Sequence, residues 1–303
     1  MTSDNPTTPL ESLTRINLDD VIAAFGWETV RRGRRLLEWP FRLPATKFAR
    51  LALDYDQDVA RLGLSQGSNR FLRRLGVRLS VTGQENIPTS RPLLVLSNHP
   101  GMTDTLCLFS GIPRRDVRIV ASGRAFLRSL VSVERQLIYV PEEAEGRLGV
   151  LRAVASHLRS GGTILTFPAG EIEPDPAVLP GAVESLQNWA SSVGLFVRLT
   201  PDASIVPAIV SGVLAPQATF HIITRLRRTS KDRERLGAAL QLMAMVLAPR
   251  LWPVNAMVKF TSPIPASDLI PLNDPAAITQ AILDRLRPFF SINSNYPVFS
   301  PPG

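Results

Sequence analysis

The chain has 303 residues, 45% of them hydrophobic, a net charge of +8 and one cysteine, Cys107. A lone cysteine excludes an internal disulfide and fits a reducing compartment. No uncharged apolar run reaches the roughly 18 residues of a membrane span, and the polar stretch Met1–Pro9 lacks the apolar core of a secretory leader, so neither is expected.

Residues 1–15 read as a disordered lead, and Asn17-Leu18-Asp19-Asp20 opens a short helix that ends near Gly26. Arg31–Arg50 then sets seven cationic side chains against Glu38 alone, which asks for an anionic partner, either nucleic acid or an acidic membrane. Trp39, Phe41 and Leu43 are interleaved with the charge, while Pro40 and Pro44 are expected to break regular structure. From Thr46, the apolar stripe Phe48, Leu51, Tyr55, Val59 and Leu62 predicts a helix that either docks on the protein or lies in a membrane interface. No nucleic-acid reading motif accompanies the charge, so an anionic membrane surface is the expected partner and nucleic acid is not. The expected division is 1–66, a lead and helical, basic membrane-association region, and 67–303, a catalytic domain.

Strand patterns follow at Arg78–Thr82, Leu93–Leu96, Val117–Ala121, Leu137–Val140, Gly162–Phe167, Ser204–Val210, Phe220–Arg225 and Asn255–Phe260. Between them fall helical patterns at Arg124–Val131, Glu145–Arg159, Val178–Leu195, Lys231–Leu247 and Pro275–Pro288. The alternation predicts an α/β fold, a largely parallel or mixed sheet of about seven strands flanked by helices, behind the N-terminal helical membrane-association segment. Pro207 favours an edge or bulge position for its strand.

Two strand ends carry chemistry. After Leu93–Leu96, Ser97-Asn98-His99 leads into a Pro100-Gly101 turn, and Thr103 reads as the N-cap of a helix with Asp104 in its first turn. On one helix the five-residue step from His99 to Asp104 would set them about 140° apart. The turn removes that obstacle, so Asp104 can hold one ring nitrogen and leave the other as a general base. The second end is Phe167-Pro168-Ala169-Gly170-Glu171, followed by Ile172-Glu173-Pro174-Asp175-Pro176. In an open α/β sheet, ligands bind at the carboxyl ends of strands, where these two turns could share one crevice.

The order Ser97-Asn98-His99-Pro100-Gly101-Met102-Thr103-Asp104, then Phe167-Pro168-Ala169-Gly170-Glu171, then Ile205-Val206-Pro207-Ala208 resembles the glycerolipid acyltransferase superfamily, over about Val77 to Pro265. Three features depart from that pattern. Ala169 stands where the common block has glutamate, with Glu171 after the glycine. The middle block, Leu137-Ile138-Tyr139-Val140-Pro141-Glu142, lacks the arginine that relatives use for the acceptor's phosphate. Gly123-Arg124 only approximates a basic residue found after the preceding strand.

The resemblance implies transfer of a fatty acyl group from an acyl thioester, acyl-CoA or acyl carrier protein, to a hydroxyl of a lysolipid such as lysophosphatidate. It needs no cofactor and no metal. His99 is then the base and Asp104 its orienter, with Phe167, Pro168, Gly170 and Glu171 on the acceptor side and Arg124, Arg135 or Arg147 as phosphate ligands. Amides near Gly170 or the helix start at Thr103 are candidates for the oxyanion. The missing arginine leaves open a non-phosphate acceptor, such as an amino-acid lipid or another alcohol. A non-catalytic lipid-binding relative is the remaining alternative. The expected location is cytoplasmic, peripheral on the inner face of the cell membrane. Cys107 reads as a small apolar helix residue, and His157 and His221 have no carboxylate spacing for a metal.

Overall fold

The first helix begins earlier than the sequence predicts. In the computed structural model, which describes residues 8–141, 143 and 146–291 and only the backbone of Arg147 and Ser291, α1 spans Pro9–Ala24. Thr8 and Glu11 close a capping box, the Thr8 amide donating to Glu11 Oε2 at 2.9 Å and the Glu11 amide to Thr8 Oγ1 at 3.3 Å. The lead expected over 1–15 is therefore helical from Pro9.

Helix α2, Arg34–Leu62, runs through both Pro40 and Pro44, contrary to the expected break. Each proline removes one backbone hydrogen bond and costs about 3 kcal/mol against alanine. Packing outweighs this: Pro44, Ala45, Ala49 and Ala52 are buried along one face, and Asn17 of α1 donates Nδ2 to the Ala45 carbonyl at 3.2 Å. The Phe48–Val59 stripe turns inward. Tyr55 and Val59 are buried in the core, and Phe48 and Leu51 pack against it, so these are not lipid-facing side chains. Phe41 is also engaged, its ring 5.1 Å from that of Phe25.

After α3, Leu64–Arg74, strands and helices alternate as predicted. The elements are β1 Val77–Thr82, β2 Leu93–Ser97, α4 Asp104–Gly111, β3 Val117–Ser122, α5 Ala125–Arg128, α6 Val131–Glu134, β4 Leu137–Val140, α7 Arg147–Arg159, β5 Thr163–Thr166, α8 Ala182–Ser185, α9 Ser192–Leu199, β6 Ser204–Ser211, α10 Pro216–Thr219, α11 Ser230–Leu247, β7 Val254–Phe260, β8 Ile264–Pro265 and α12 Pro275–Ser291. They form one sheet of order β1-β7-β6-β2-β5-β3-β4, with β8 beside β6. The block β6-β2-β5-β3-β4 is parallel; β7 pairs antiparallel to β6 and parallel to β1.

Two strand readings change. Phe220–Arg225 is not a strand. His221 caps a 3-10 turn over Ile222–Leu226 by accepting from the Ile223 amide at 3.3 Å, a local bond that competes with pairing. Pro207 sits in β6 inside the sheet rather than at its edge. It is tolerated because β7 pairs from Ala208 onward and β8 only at Ser204 and Ile205, so Pro207 falls in the gap on that flank. The helix expected over Val178–Leu195 is broken into α8, a 3-10 turn at Leu186–Asn188 and α9.

Alternation within the buried strands builds two cores. Leu93 and Val95 of β2, with Val206, Ala208 and Val210 of β6, join α2, α3 and α4 on one face. Leu94 and Leu96, with Ile205 and Ile209, join α7, α9 and α12 on the other. A buried strand splits its side chains between two layers at period two, so β2 emerges rigidly fixed where its carboxyl end reaches Asn98 and His99.

Candidate active site

Asn98 ends the paired part of β2 and is 1% exposed. Its Nδ2 donates to the Val210 carbonyl at 2.9 Å and its Oδ1 accepts from the Val210 amide at 2.8 Å. The side chain thus continues the β2–β6 ladder by one step and fixes the exit direction of the chain. His99 follows, on the loop as predicted. Gly101 has φ 85° and Met102 φ 53°, left-handed conformations that turn the chain sharply enough for α4 to start at Asp104. Thr103 occupies the N-cap position but makes no capping bond, and its Oγ1 is buried without a partner. The turn is closed by Asp104 instead.

The geometry of the pair is that of an oriented base. His99 Nδ1 lies 2.7 Å from Asp104 Oδ2. Asp104 is 1% exposed; Oδ2 also accepts from the Gly101 amide at 2.7 Å, and Oδ1 from the Thr105 amide and, at 3.0 Å, from Thr105 Oγ1. A carboxylate with this many donors cannot swing away. With Nδ1 engaged, Nε2 is the nitrogen left to take a proton. The His99 side chain keeps 27% exposure, and its ring stacks on Phe167, centroids 4.2 Å apart at 18°. Burial pulls the imidazole pKa down, but the charge and hydrogen bond of Asp104 and the charge of Glu173 outweigh it, so His99 is held above its ordinary 6.5.

The structure brings some of the predicted residues together and not others. Phe167 touches His99, and Pro168 is buried behind it. Gly170, at φ 68°, closes the turn by donating its amide to the Phe167 carbonyl at 3.1 Å, which removes it as an oxyanion donor. Glu171 is exposed and paired with Lys231 of α11, Oε2 to Nζ 3.3 Å. Arg124 follows β3 at the same end of the sheet as His99 and acts electrostatically on the imidazole. Arg135 stands before β4, at the amino and therefore opposite end of the parallel block. Arg147 opens α7 beyond β4, and its side chain lies outside the described residues. Cys107, buried beneath Asp104, has its thiol pushed up to about 12 by burial and by that carboxylate, so it is no nucleophile near neutral pH. Among the described residues, no cluster of three or more His, Cys, Asp or Glu is arranged to hold a metal.

Two carboxylates that the sequence reading left without a role hold the crevice together. Glu173 is 3% exposed. Its Oε2 accepts from the His99 amide at 2.9 Å, its Oε1 from Ser185 Oγ and from Trp189 Nε1, each at 3.1 Å, and its own amide donates to the His99 carbonyl at 2.8 Å. Burial pushes the carboxyl above its ordinary pKa, against the donors from Trp189, His99 and Ser185. Asp175 is 0% exposed and accepts four amides, Gly212 (2.8 Å) and Ala177 (2.9 Å) on Oδ1, Val213 (2.8 Å) and Leu214 (3.0 Å) on Oδ2. The signal for both was present in Glu173-Pro174-Asp175-Pro176. Prolines at alternate positions hold the chain extended, so the intervening carboxylates project to the same side.

One family model covers the stretch of chain that holds both turns. Residues 78–211 match the model of the family described as Acyltransferase. Among solved structures, the chain is similar to the 1-acyl-sn-glycerophosphate (LPA) acyltransferase PlsC from Thermotoga maritima, at 17% identity and a TM-score of 0.45, covering 90% of this chain and 93% of that one. No curated protein matches the chain.

Proposed function

We propose that this chain, whose residues 78–211 match the acyltransferase family model, moves a fatty acyl group from an acyl thioester to a lysolipid hydroxyl, with lysophosphatidate as the first acceptor to test. The observation that carries the reading is the 2.7 Å contact between His99 Nδ1 and the buried, fully bonded Asp104. Nε2 takes the proton of the acceptor hydroxyl as its oxygen attacks the thioester carbonyl. The carbon–oxygen bond forms, the carbon–sulfur bond breaks, and the proton on Nε2 goes to the departing thiolate, which restores the neutral imidazole. Asp104 supplies orientation and charge to the imidazolium between the two transfers. Arg124, on the His99 side of the sheet, is the arginine that meets an acceptor phosphate in this reading.

Such an enzyme must reach substrate held in a bilayer, and no helix among the described residues is long and apolar enough to cross one. In the proposal it works peripherally on an anionic leaflet. Leu36, Trp39 and Leu43 form a stripe at i, i+3 and i+7 on α2, 81%, 79% and 60% exposed, with exposed Arg31, Arg32, Arg35 and Arg42 around them. Arg34 is excluded from this surface because Asp19 and Glu38 bind it. Apolar insertion and charge together give a stable peripheral anchor.

The test is thioester release and lipid mass spectrometry with acyl-CoA and acyl carrier protein donors and a panel of lysolipids in anionic vesicles. An acylated lysophosphatidate is the expected product. Release with a phosphate-free acceptor alone supports the alternative that the middle block without arginine favours. Folded protein that acylates nothing in the panel leaves the non-catalytic lipid-binding reading. Vesicle flotation of a variant with Arg31, Arg32, Arg35 and Arg42 changed to Gln is expected to fall at least about twofold on anionic vesicles; unchanged flotation removes this stretch as the anchor.

A further inference from the structure

We propose that Glu173 is a second carboxylate of the catalytic base, a positioning residue that fixes the His99 backbone and stabilises the charge His99 acquires during turnover. The inference rests on the proposed acyl transfer for its kinetic part only.

His99 is gripped from two directions. Asp104, at the start of α4, holds ring Nδ1. Glu173, on the loop after β5, holds the main chain of the same residue by a reciprocal pair, its carboxylate accepting the His99 amide and its amide donating to the His99 carbonyl. An imidazole whose ring alone were tethered would still pivot with the loop, and the Pro100-Gly101-Met102 turn gives that loop no regular ladder. The Glu173 pair supplies one. It also binds the loop bearing Phe167, the ring against which His99 stacks, so both walls of the crevice shift together or not at all.

The carboxylate itself is immobilised. Ser185 and Trp189 occupy Oε1, and the group is almost wholly buried. A negative charge fixed next to a base opposes no reorganisation when the imidazolium forms, which is how a preorganised site stabilises developing charge. The charged groups facing His99 are Asp104 from α4, Glu173 from the loop after β5 and Arg124 from the loop after β3; the first two raise its pKa and the third lowers it. The sequence pattern led to Glu171 as the carboxylate serving this turn, but Glu171 is exposed and paired with Lys231. Two residues on, Glu173 occupies the interior position.

The experiment compares wild type, Glu173→Gln and Ser185→Ala in the full chain. Gln keeps the shape and offers one oxygen, so the His99 amide and the Ser185–Trp189 donors compete for it and the charge is gone. For Glu173→Gln, kcat is expected to fall about 10- to 100-fold from misplacement of the base, with KM within about twofold. The acidic limb of kcat/KM is expected to move to lower pH, because a charge favouring imidazolium has been removed. A reading free of turnover is the NMR titration of the three histidine imidazoles in the chain, with the His99 signal identified by its loss in His99→Ala. It too is expected to move to lower pH. This titration separates failure of the proposal from failure of the acyltransferase reading, since it needs no substrate.

A folded Glu173→Gln with wild-type kcat and an unmoved His99 titration overturns the proposal. A fall in kcat with an unmoved titration overturns its electrostatic half and leaves a brace. If Glu173→Gln does not fold, Ser185→Ala decides: it takes one donor from Oε1 together with the Ser185 Oγ bond to the Ala182 carbonyl at 2.8 Å, and leaves the His99–Glu173 backbone pair intact, so kcat is expected to fall about two- to fivefold at unchanged KM, and a wild-type kcat overturns the proposal.

Discussion

At the amino ends of β2, β3 and β5, one buried guanidinium gathers carbonyls; at the carboxyl ends of β2, β5 and β6, buried carboxylates gather amides. Arg114 donates to the carbonyls of Pro88 (3.1 Å), Arg91 (2.6 Å) and Gly161 (2.6 Å), and forks onto Asp116 through Nε at 2.9 Å and Nη2 at 2.5 Å. Asp116 extends the brace to Thr163 Oγ1 at 3.1 Å, and its carbonyl lies 2.7 Å from His157 Nε2. Opposite, Asp104, Glu173 and Asp175 receive amides from six other residues and from Asp175's near neighbour Ala177. The sign of the charge follows the backbone. Chains entering parallel strands come from helix C-termini and leave carbonyls unsatisfied, whereas chains leaving them run toward helix N-termini and leave amides. Both ends are stapled by buried charge and each holds a half-buried imidazole, but His157 rests on a backbone carbonyl whereas His99 is oriented by a carboxylate, so the candidate base lies at the carboxyl end.

This contrast is sharpest at His99. His99→Ala is expected to reduce acyl transfer by about two to four orders of magnitude while urea melts stay near wild type, because Asp104 retains the Gly101 and Thr105 donors. Wild-type-like turnover would remove the base from the mechanism. At the other end, Arg114→Met is expected to destabilise by about 3 kcal/mol, since three part-buried carbonyls lose a donor and Asp116 its partner, with kcat of the folded protein unchanged. A large fall in kcat there would mean that the two ends are coupled through the sheet. The amino-end brace also has a pH signature. Arg114 holds the Asp116 carboxyl below its ordinary 3.8 despite burial, so its contribution is complete above about pH 4 and is lost as pH falls through the lowered value. The destabilisation by Arg114→Met should therefore be largest above about pH 4 and shrink as pH falls through the lowered value.

Asp175→Asn tests the middle ground. The amide group would face backbone donors, which costs about 1–3 kcal/mol, and here activity is expected to fall too, because the loop carrying Phe167 and Glu173 is released from Gly212–Leu214. Stability loss without activity loss would make Asp175 equivalent to Arg114 and erase the contrast. The smallest effect is expected from Glu171→Gln. An exposed pair with Lys231 contributes less than about 1 kcal/mol, and only an assay of acceptor KM would reveal a binding role for Glu171; a KM raised severalfold would return it to the acceptor site.

Local pattern alone determined the strand cores Leu93–Leu96, Leu137–Val140 and Ser204–Val210, the Pro-Gly turn, and the five-residue spacing that sets His99 against Asp104, because each depends on neighbours within a few residues. The capping box at Thr8 and Glu11 is equally local, yet residues 1–15 read as a lead; the box marks the true start of α1. Only the tertiary structure decided the rest. Pro40 and Pro44 stay helical because α1 and the core pack on the small residues around them. The roles of Arg114, Glu173 and Asp175 depend on backbone groups up to 74 residues away in sequence, as between His99 and Glu173. A charged side chain reads as solvated in a sequence; whether it is buried instead is settled by which unsatisfied amides or carbonyls the folded chain leaves beside it.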